Sequence, residues 1–171
     1  MRIQLAVLMA STLALAACGP GPTTTVGPGG VKVYKISSRD AGQIPSRIQD
    51  SVNSLRSAAG VAPVTLNPAL NRSAEDHSRD MSQQNRPWWF GSDASSPLDR
   101  ATRAGYDGFL VGEVVSETFE TELETLAAWM EDPNTRAVIL DERARDLGFA
   151  WHQERAGKIW WTLSLGAPRT F

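Results

Sequence analysis

In the stretch Leu147-Gly148-Phe149-Ala150-Trp151-His152, large apolar side chains alternate with small or polar ones. Such a period of two is typical of a β-strand. Residues 159–165 mirror this stretch after the polar sequence Glu154-Arg155-Ala156-Gly157. The two stretches together predict an antiparallel hairpin near the end of the chain.

The chain before this hairpin has the period of helices. Apolar residues recur at helical spacing in three stretches, namely Ile44, Ile48, Val52, Leu55 and Ala59, then Leu70, Ala74, His77 and Met81, and then Phe119, Leu123, Leu126 and Met130. Asn67 before Pro68 is a good N-cap for the second of these helices. Ser96-Pro97 opens a short helix, and residues 133–140 form a further turn or short helix. Helices first and strands last predict an α+β domain with helices packed on a small antiparallel sheet.

The N-terminus has the features of an exported lipoprotein. Residues 5–17 are apolar apart from Ser11 and Thr12, a run shorter than the roughly 20 apolar residues that span a bilayer. Leu15-Ala16-Ala17-Cys18 resembles the bacterial lipobox, in which the peptide is cut before a cysteine that is then acylated. Cys18 is the only cysteine, and an unpaired cysteine in an exported protein otherwise needs explaining. The alternative is an ordinary cleaved signal peptide with an incidental cysteine.

These features divide the chain into four parts. Residues 1–17 are predicted to be the lipoprotein signal peptide, and residues 18–42 the lipidated cysteine and a flexible tether rich in Gly, Pro and Thr. Residues 43–168 are predicted to form the domain, and residues 169–171 a tail. Gly19 is not an acidic retention signal, so we predict attachment to the outer membrane of the cell envelope, facing the periplasm. The formal net charge of −2 argues against a nucleic-acid partner.

The domain also carries short motifs in a characteristic order. They are Val52-Asn53-Ser54-Leu55-Arg56 with Gly60, Leu66-Asn67-Pro68-Ala69-Leu70, Ala74-Glu75-Asp76-His77-Ser78 with Asp80-Met81, Ser95-Ser96-Pro97-Leu98-Asp99-Arg100 with Ala104-Gly105-Tyr106, Gly112-Glu113-Val114, Trp129-Met130, Arg136-Ala137-Val138-Ile139-Leu140, Leu147-Gly148-Phe149-Ala150 and Leu165-Gly166-Ala167-Pro168. Together they resemble the bacterial branch of the CAP superfamily, also called SCP or PR-1-like domains. The resemblance implies an α-β-α sandwich.

The resemblance also implies a cleft, which in many members holds a divalent metal between two histidines and acidic residues. The segment of the first histidine reads Trp88-Trp89-Phe90-Gly91-Ser92 here, with an aromatic in its place. The segment of the second has Asn134 and Thr135 where the family has Gly-His. Glu113 is the one acidic member that can be placed. Because zinc needs three or four ligands, we predict no metal at this site, and no other cofactor.

Six residues are candidates for lining the cleft: Trp88, Trp89, Phe90, Glu113, Asn134 and Thr135. Three consecutive aromatic residues either bury one or two rings in the core or line a cleft for an apolar or glycan ligand. His77 is either a core histidine with a backbone or hydroxyl partner or a cleft group near Glu113. No catalytic residue is assigned, although His77 and Glu113 are the candidates for acid–base chemistry.

Three functions remain open from the sequence. The first is a binding or interaction module held at the membrane through the lipid on Cys18. The second is a hydrolase-like enzyme that uses His77 and Glu113, and the third is a purely structural envelope protein. The missing histidines favour the first and third functions over the enzyme. We expect the protein to be a monomer.

Overall fold

The computed structural model describes residues 24–26, 32–118 and 120–169. The predicted signal peptide, Cys18 and Phe119 lie outside these residues, so the lipoprotein interpretation stays a prediction. None of the helices in the described ranges combines the length and the apolar character that crossing a membrane requires.

Among the described residues, five helices pack on a four-stranded sheet, and a small hairpin precedes them. The elements are β1 (Thr24–Val26), β2 (Lys32–Tyr34), α1 (Ser38–Ala58), β3 (Thr65–Leu66), α2 (Pro68–Gln84), α3 (Pro97–Arg103), β4 (Phe109–Glu117), α4 (Glu122–Glu131), α5 (Pro133–Ile139), β5 (Asp146–Gln153) and β6 (Ile159–Ala167). Strands β1 and β2 pair with each other, and the main sheet has the order β3-β5-β6-β4. The predicted hairpin is confirmed as β5 and β6.

The two faces of β6 contact different surroundings. Trp161, Leu163 and Leu165 face α1, α4 and α5 and belong to the main apolar core. The alternate residues face α2 and are partly polar, as Thr162 and Ser164 show through hydrogen bonds to Ser78 and Glu113. Since successive side chains of a strand point to opposite faces, one sheet supports an apolar core on one side and a polar interior on the other.

Helix α2 lies very close to the sheet. Asn67 caps its N-terminus, and the amide oxygen accepts hydrogen bonds from the backbone N–H groups of Ala69 and Leu70. A Cβ at Gly148 of β5 would lie 2.4 Å from the backbone carbon of Leu70, so only glycine allows this approach. The predicted N-cap is confirmed, and the helix that follows it spans Pro68–Gln84.

The segment that leads into α1 is fastened to the turn between β5 and β6. Lys35 Nζ donates to the carbonyl oxygens of Glu154 and Arg155, at 2.8 Å each. The side-chain amide of Gln153 accepts from the backbone N–H of Ile36 and donates to the carbonyl oxygen of Tyr34. These contacts join the N-terminal part of the described chain to one end of the sheet.

The α+β sandwich predicted from the sequence is confirmed, with four differences in detail. The sheet is mixed, because β3 runs parallel to β5. Helix α1 begins at Ser38, so residues 38–42 are helical and do not belong to the predicted tether. Helix α4 begins at Glu122; Leu123 is half exposed, and Trp129 is buried although it lies outside the predicted stripe. Strand β4 was not predicted at all.

Candidate functional site

His77 lies on the face of α2 that is turned to the sheet, and its side chain is fully buried. Its Nε2 is 2.8 Å from the carbonyl oxygen of Trp88. Because a carbonyl oxygen can only accept, Nε2 carries the proton and donates. This hydrogen bond fixes the loop after α2 against the helix, and it matches the core histidine with a backbone partner that was one of the two sequence interpretations.

Glu113 is the centre of a buried polar cluster. It lies opposite Ser164 in the pairing of β4 with β6, so the two side chains share a face. Ser164 Oγ donates to Glu113 Oε2 at 2.9 Å, and Arg100 Nη2 of α3 donates to Oε1 at 2.6 Å. His77 Nε2 lies 3.7 Å from the same Oε1 atom. The structure therefore brings His77 and Glu113 together, but in the buried interior and not in an open cleft as the second interpretation of His77 expects.

The burial of this cluster changes its acid–base properties. Burial and the neighbouring Arg100 guanidinium lower the pKa of His77 to about 4. Burial raises the pKa of Glu113, whereas Arg100 and Ser164 oppose that rise by favouring the charged carboxylate. The imidazole is consequently neutral at neutral pH.

The same burial limits what this pair can do chemically. A general base must come within hydrogen-bond distance of the proton that it removes from a substrate. His77 is closed off from solvent, and its Nε2 donates to Trp88. The arrangement is suited to holding α2, α3 and β4 together and is poorly suited to proton transfer with a bound substrate.

The donor set does not fit the divalent metal that the family cleft implies. Both oxygens of Glu113 accept hydrogen bonds, from Arg100 and from Ser164. The protonated Nε2 of His77 has no lone pair for a metal ion. Within residues 24–26, 32–118 and 120–169, no group of three or more His, Cys, Asp or Glu side chains is placed to hold a metal. The arrangement of this cluster is that of an ion pair.

The three consecutive aromatic residues form a cluster on the loop after α2. The ring centroid of Trp88 lies 6.2 Å from that of Trp89 and 6.1 Å from that of Phe90. The Arg86 guanidinium lies 3.8 Å from the centre of the Trp88 ring, a cation–π contact. Trp88 is partly buried, whereas Trp89 and Phe90 are 49% and 47% exposed. Two large apolar rings are thus presented to solvent beside a cation.

The remaining two cleft candidates, Asn134 and Thr135, make hydrogen bonds at the start of α5. The Asn134 backbone N–H donates to Asp132 Oδ1, which caps this helix. The Thr135 hydroxyl hydrogen-bonds with the carbonyl oxygens of Trp129 and Asp132. None of the hydrogen bonds described for Asn134 and Thr135 reaches Glu113. The six predicted residues are therefore divided among the buried cluster, the aromatic loop and the α5 N-terminus.

Arg100 and Ser164 complete the buried cluster, and the sequence assigned no role to either. Arg100 is the last residue of the motif that begins at Ser95, but its partner Glu113 lies on another element, 13 positions further along the chain. Ser164 alternates with apolar residues in β6 and gives no separate signal. Only the register of β4 against β6 shows that Ser164 lies beside Glu113.

An open cavity of about 270 Å³ lies next to this cluster, between α2, α3 and the loop that joins them. Arg100 lines the cavity and donates to Glu113, so the buried cluster forms part of its support. The cavity is lined by charged and hydroxyl side chains rather than by the predicted aromatic residues.

The fold and the order of its motifs define a class of protein, and a family comparison agrees with it. The family model described as CAP, the cysteine-rich secretory protein family, matches residues 49–165. The chain belongs to this family.

A curated relative is the uncharacterized protein YkwD of Bacillus subtilis, which is 25% identical over 144 residues. The match covers 84% of this chain but 51% of YkwD, so the chain spans about half the length of that relative.

Two solved structures share the fold. An outer surface protein of Borrelia burgdorferi superposes with a TM-score of 0.69 at 12% identity, over 76% of this chain and 96% of the other. An extracellular protein with an SCP domain from Bacillus anthracis gives a TM-score of 0.68 at 19% identity, over 80% of this chain and 46% of the other. These similarities support the α+β sandwich of the CAP type.

Proposed function

We propose that this protein is an envelope lipoprotein, anchored by acylated Cys18 to the outer membrane, whose CAP domain binds a ligand. One contrast between two parts of the site carries this proposal. The pair that a hydrolase would need, His77 and Glu113, is buried and engaged. The surface beside it is open and offers two exposed aromatic rings, Trp89 and Phe90.

The exposed rings are the feature that argues for binding over a purely structural role. A soluble domain gains no stability from aromatic rings that remain in water, and such groups are common where a ligand or partner is bound. The hydrogen bond from His77 to the Trp88 carbonyl holds this loop in place before any ligand arrives. Preorganisation of this kind lowers the entropic cost of binding.

The location at the envelope rests on Leu15-Ala16-Ala17-Cys18 and is supported by the relatives. The two solved proteins described above are an outer surface protein and an extracellular protein. One acyl chain holds a protein only marginally, so stable anchoring needs the several chains that lipoprotein processing supplies.

Expression of the wild type and of Cys18→Ser in a bacterium with two membranes, followed by membrane fractionation, tests the anchor. We expect the wild type in the outer-membrane fraction and the variant in the soluble envelope fraction, with equal resistance of the domain to protease. Membrane attachment of Cys18→Ser equal to that of the wild type would overturn the anchoring proposal.

Binding is tested by titrating Cys18→Ser, which carries no lipid anchor and needs no detergent, and following tryptophan fluorescence. Suitable probes are neutral oligosaccharides and phospholipid vesicles, which represent the glycan and apolar classes. We expect saturable binding of one class and a loss of at least tenfold in affinity for Trp89→Ala. Absence of binding to both classes would contradict the binding role.

A further inference from the structure

The hairpin of β1 and β2 limits how far the domain can stand from Cys18. Thr24 lies opposite Tyr34 in the antiparallel register of this hairpin, which places the two Cα atoms about 5 Å apart. Thr24 is six positions after Cys18, and a chain spans at most about 3.5 Å per residue. In the anchored protein proposed above, Tyr34 is therefore within roughly 25 Å of the acylated cysteine.

The turn between β5 and β6 contacts both the segment after Tyr34 and the C-terminal end of α2. On one side, Lys35 Nζ donates to the carbonyl oxygen of Glu154 at 2.8 Å. On the other side, Ser82 Oγ donates to Glu154 Oε1 at 2.9 Å. The C-terminal end of α2 thus lies at the same end of the domain as the segment that leads to the lipid.

The aromatic loop, residues 86–90, follows this end of α2 directly. Gln84, the last residue of α2, donates through Nε2 to the carbonyl oxygen of Phe90 at 3.2 Å. The hydrogen bond from His77 to the Trp88 carbonyl fixes the loop one step further back along the helix. The backbone of the loop is therefore held against the last turns of α2, while the rings of Trp89 and Phe90 are half exposed.

The chemistry of this loop suits the surface of a phospholipid bilayer. Tryptophan is enriched at membrane–water interfaces, because its indole is apolar with one polar N–H group. Arg86 covers the Trp88 ring, and no carboxylate of the described residues pairs with it. Its guanidinium is free to contact a lipid phosphate while its methylene groups lie along apolar surface. Two rings beside such a cation match the layered polarity of a bilayer surface.

The charges at this end of the domain are mixed. Lys35, Arg86 and Arg155 are cationic, whereas Asp40 and Glu154 are acidic. A surface of mixed charge gains little from a negatively charged membrane, because attraction and repulsion nearly cancel. We therefore expect the aromatic rings to supply most of the attraction, and salt to have a weak effect on it.

We propose that the aromatic loop docks on the phospholipid bilayer to which the protein is anchored, with Trp89 and Phe90 at the depth of the lipid head groups. This inference rests on the proposed binding function and names the partner. The anchor keeps the bilayer at a high effective concentration beside the loop, so a weak contact is sufficient. The lipid and the loop together would fix the orientation of the domain on the membrane.

Cosedimentation with vesicles tests the contact separately from the anchor. Cys18→Ser, purified from the soluble envelope fraction, is mixed with vesicles of phosphatidylcholine or of phosphatidylethanolamine with phosphatidylglycerol. We expect binding to both. Adding Trp89→Ala should weaken the binding by about tenfold or more, because the exposed part of the indole no longer leaves water.

Phe109→Ala is the matched control for the loss of an exposed ring. Phe109 is 61% exposed, but it begins β4 and pairs with Ala167, at the opposite end of the sheet from the β5–β6 turn. Its removal should leave vesicle binding unchanged. An equal loss for Phe109→Ala and Trp89→Ala would show that any exposed ring contributes, and the docking surface would be wrong.

Quenching by brominated lipid locates the ring in the anchored protein. All six tryptophans are among the described residues, and only Trp89 is exposed. In vesicles of brominated phosphatidylcholine, the lipidated wild type should lose part of its tryptophan fluorescence. Trp89→Phe keeps a ring for docking and removes the indole, so attachment should persist while most of the quenching disappears. Trp129→Phe, which changes a core tryptophan, should keep the quenching.

The outcomes distinguish this inference from the function beneath it. If neutral oligosaccharides bind to Cys18→Ser and vesicles do not, the membrane assignment is wrong and the binding role stands. If vesicles bind equally well with and without Trp89→Ala, the aromatic loop is not the docking surface. If neither class of probe binds, both proposals fail.

Discussion

The imidazole of His77 and the backbone of Trp88 are joined by a 2.8 Å hydrogen bond in which Nε2 donates to the carbonyl oxygen. The other nitrogen, Nδ1, is buried and has no partner among the described residues. A neutral ring leaves Nδ1 as an unpaired acceptor but buries no charge, whereas a protonated ring would bury a positive charge close to Arg100.

The first prediction concerns the pH dependence of stability. The pKa of His77 is about 4 in the folded protein and about 6.5 in the unfolded chain, so the unfolded chain takes up the proton first as the pH falls. The contribution of His77 is complete above pH 6.5 and decreases by about 3 kcal/mol as the pH falls to 4.

Urea unfolding of the wild type and of His77→Gln between pH 4 and 7.5 measures this effect. Glutamine keeps a donor for the Trp88 carbonyl and does not titrate, and Arg100 and Glu113 are present in both proteins. The wild type should lose more stability on acidification than the variant does. Identical pH slopes for the two proteins would rule out a lowered histidine pKa.

The second prediction concerns the ion pair. Glu113→Gln leaves the buried Arg100 guanidinium without a carboxylate, and removing one partner of a buried pair costs about 3–5 kcal/mol. Chemical denaturation of Glu113→Gln, Arg100→Met and the double variant measures the coupling between the two residues. The double variant should be more stable than the sum of the single losses predicts. Additive losses would show that the two side chains act independently.

The third prediction compares two glycines. Gly148→Ala places a methyl group 2.4 Å from the Leu70 backbone, so the strand or the helix must shift, at a cost of about 1–3 kcal/mol. Gly42→Ala adds a methyl group where no atom lies within 4 Å, inside α1. Alanine there should stabilise the protein by about 0.5–1 kcal/mol.

Thermal unfolding of both variants, compared with the wild type, measures the two changes in stability. Gly42 lies in the part of the chain that the sequence assigned to the tether. An unchanged melting temperature for Gly42→Ala would therefore argue against a helix that begins at Ser38.

The fourth prediction separates two kinds of tryptophan. Trp89 is half exposed, so Trp89→Ala should change stability by no more than about 0.5 kcal/mol. Trp160 is fully buried and its indole N–H donates to Glu154, so Trp160→Ala should cost about 3–5 kcal/mol. Guanidinium unfolding monitored by circular dichroism gives both values. A large loss for Trp89→Ala would mean that the ring is part of the core.

The parts of the fold with a regular sequence pattern could be predicted from the sequence. The cap at Asn67 and the alternation in β5 predict their elements closely, because each depends on neighbouring residues. The sequence pattern does not predict strand β4, because the register of this strand shifts between Leu110 and Gly112 and because the strand buries the charged Glu113. Both features break the alternation by which a strand is recognised.

The site could be predicted less well, because its contacts join residues that are distant in the sequence. Glu113 was identified from its motif, but the partner that holds its charge, Arg100, lies on a separate helix. Asn134 and Thr135 occupy positions that the family resemblance assigns to the cleft, yet their polar groups serve the start of α5. Whether a polar side chain faces a cleft or caps a helix depends on the local backbone geometry, which the residue type alone does not determine.

The attachment of residues 34–36 to the β5–β6 turn has a mechanical consequence. If the protein hangs from its lipid, tension on the N-terminus reaches the domain first through the contacts of Lys35, Ile36 and Tyr34 with residues 153–155. None of the hydrogen bonds described for residues 34–36 involves α2 or α3. The load therefore enters the domain at the β5–β6 turn and at α1, and it reaches the C-terminal end of α2 through the hydrogen bond from Ser82 to Glu154 of that turn.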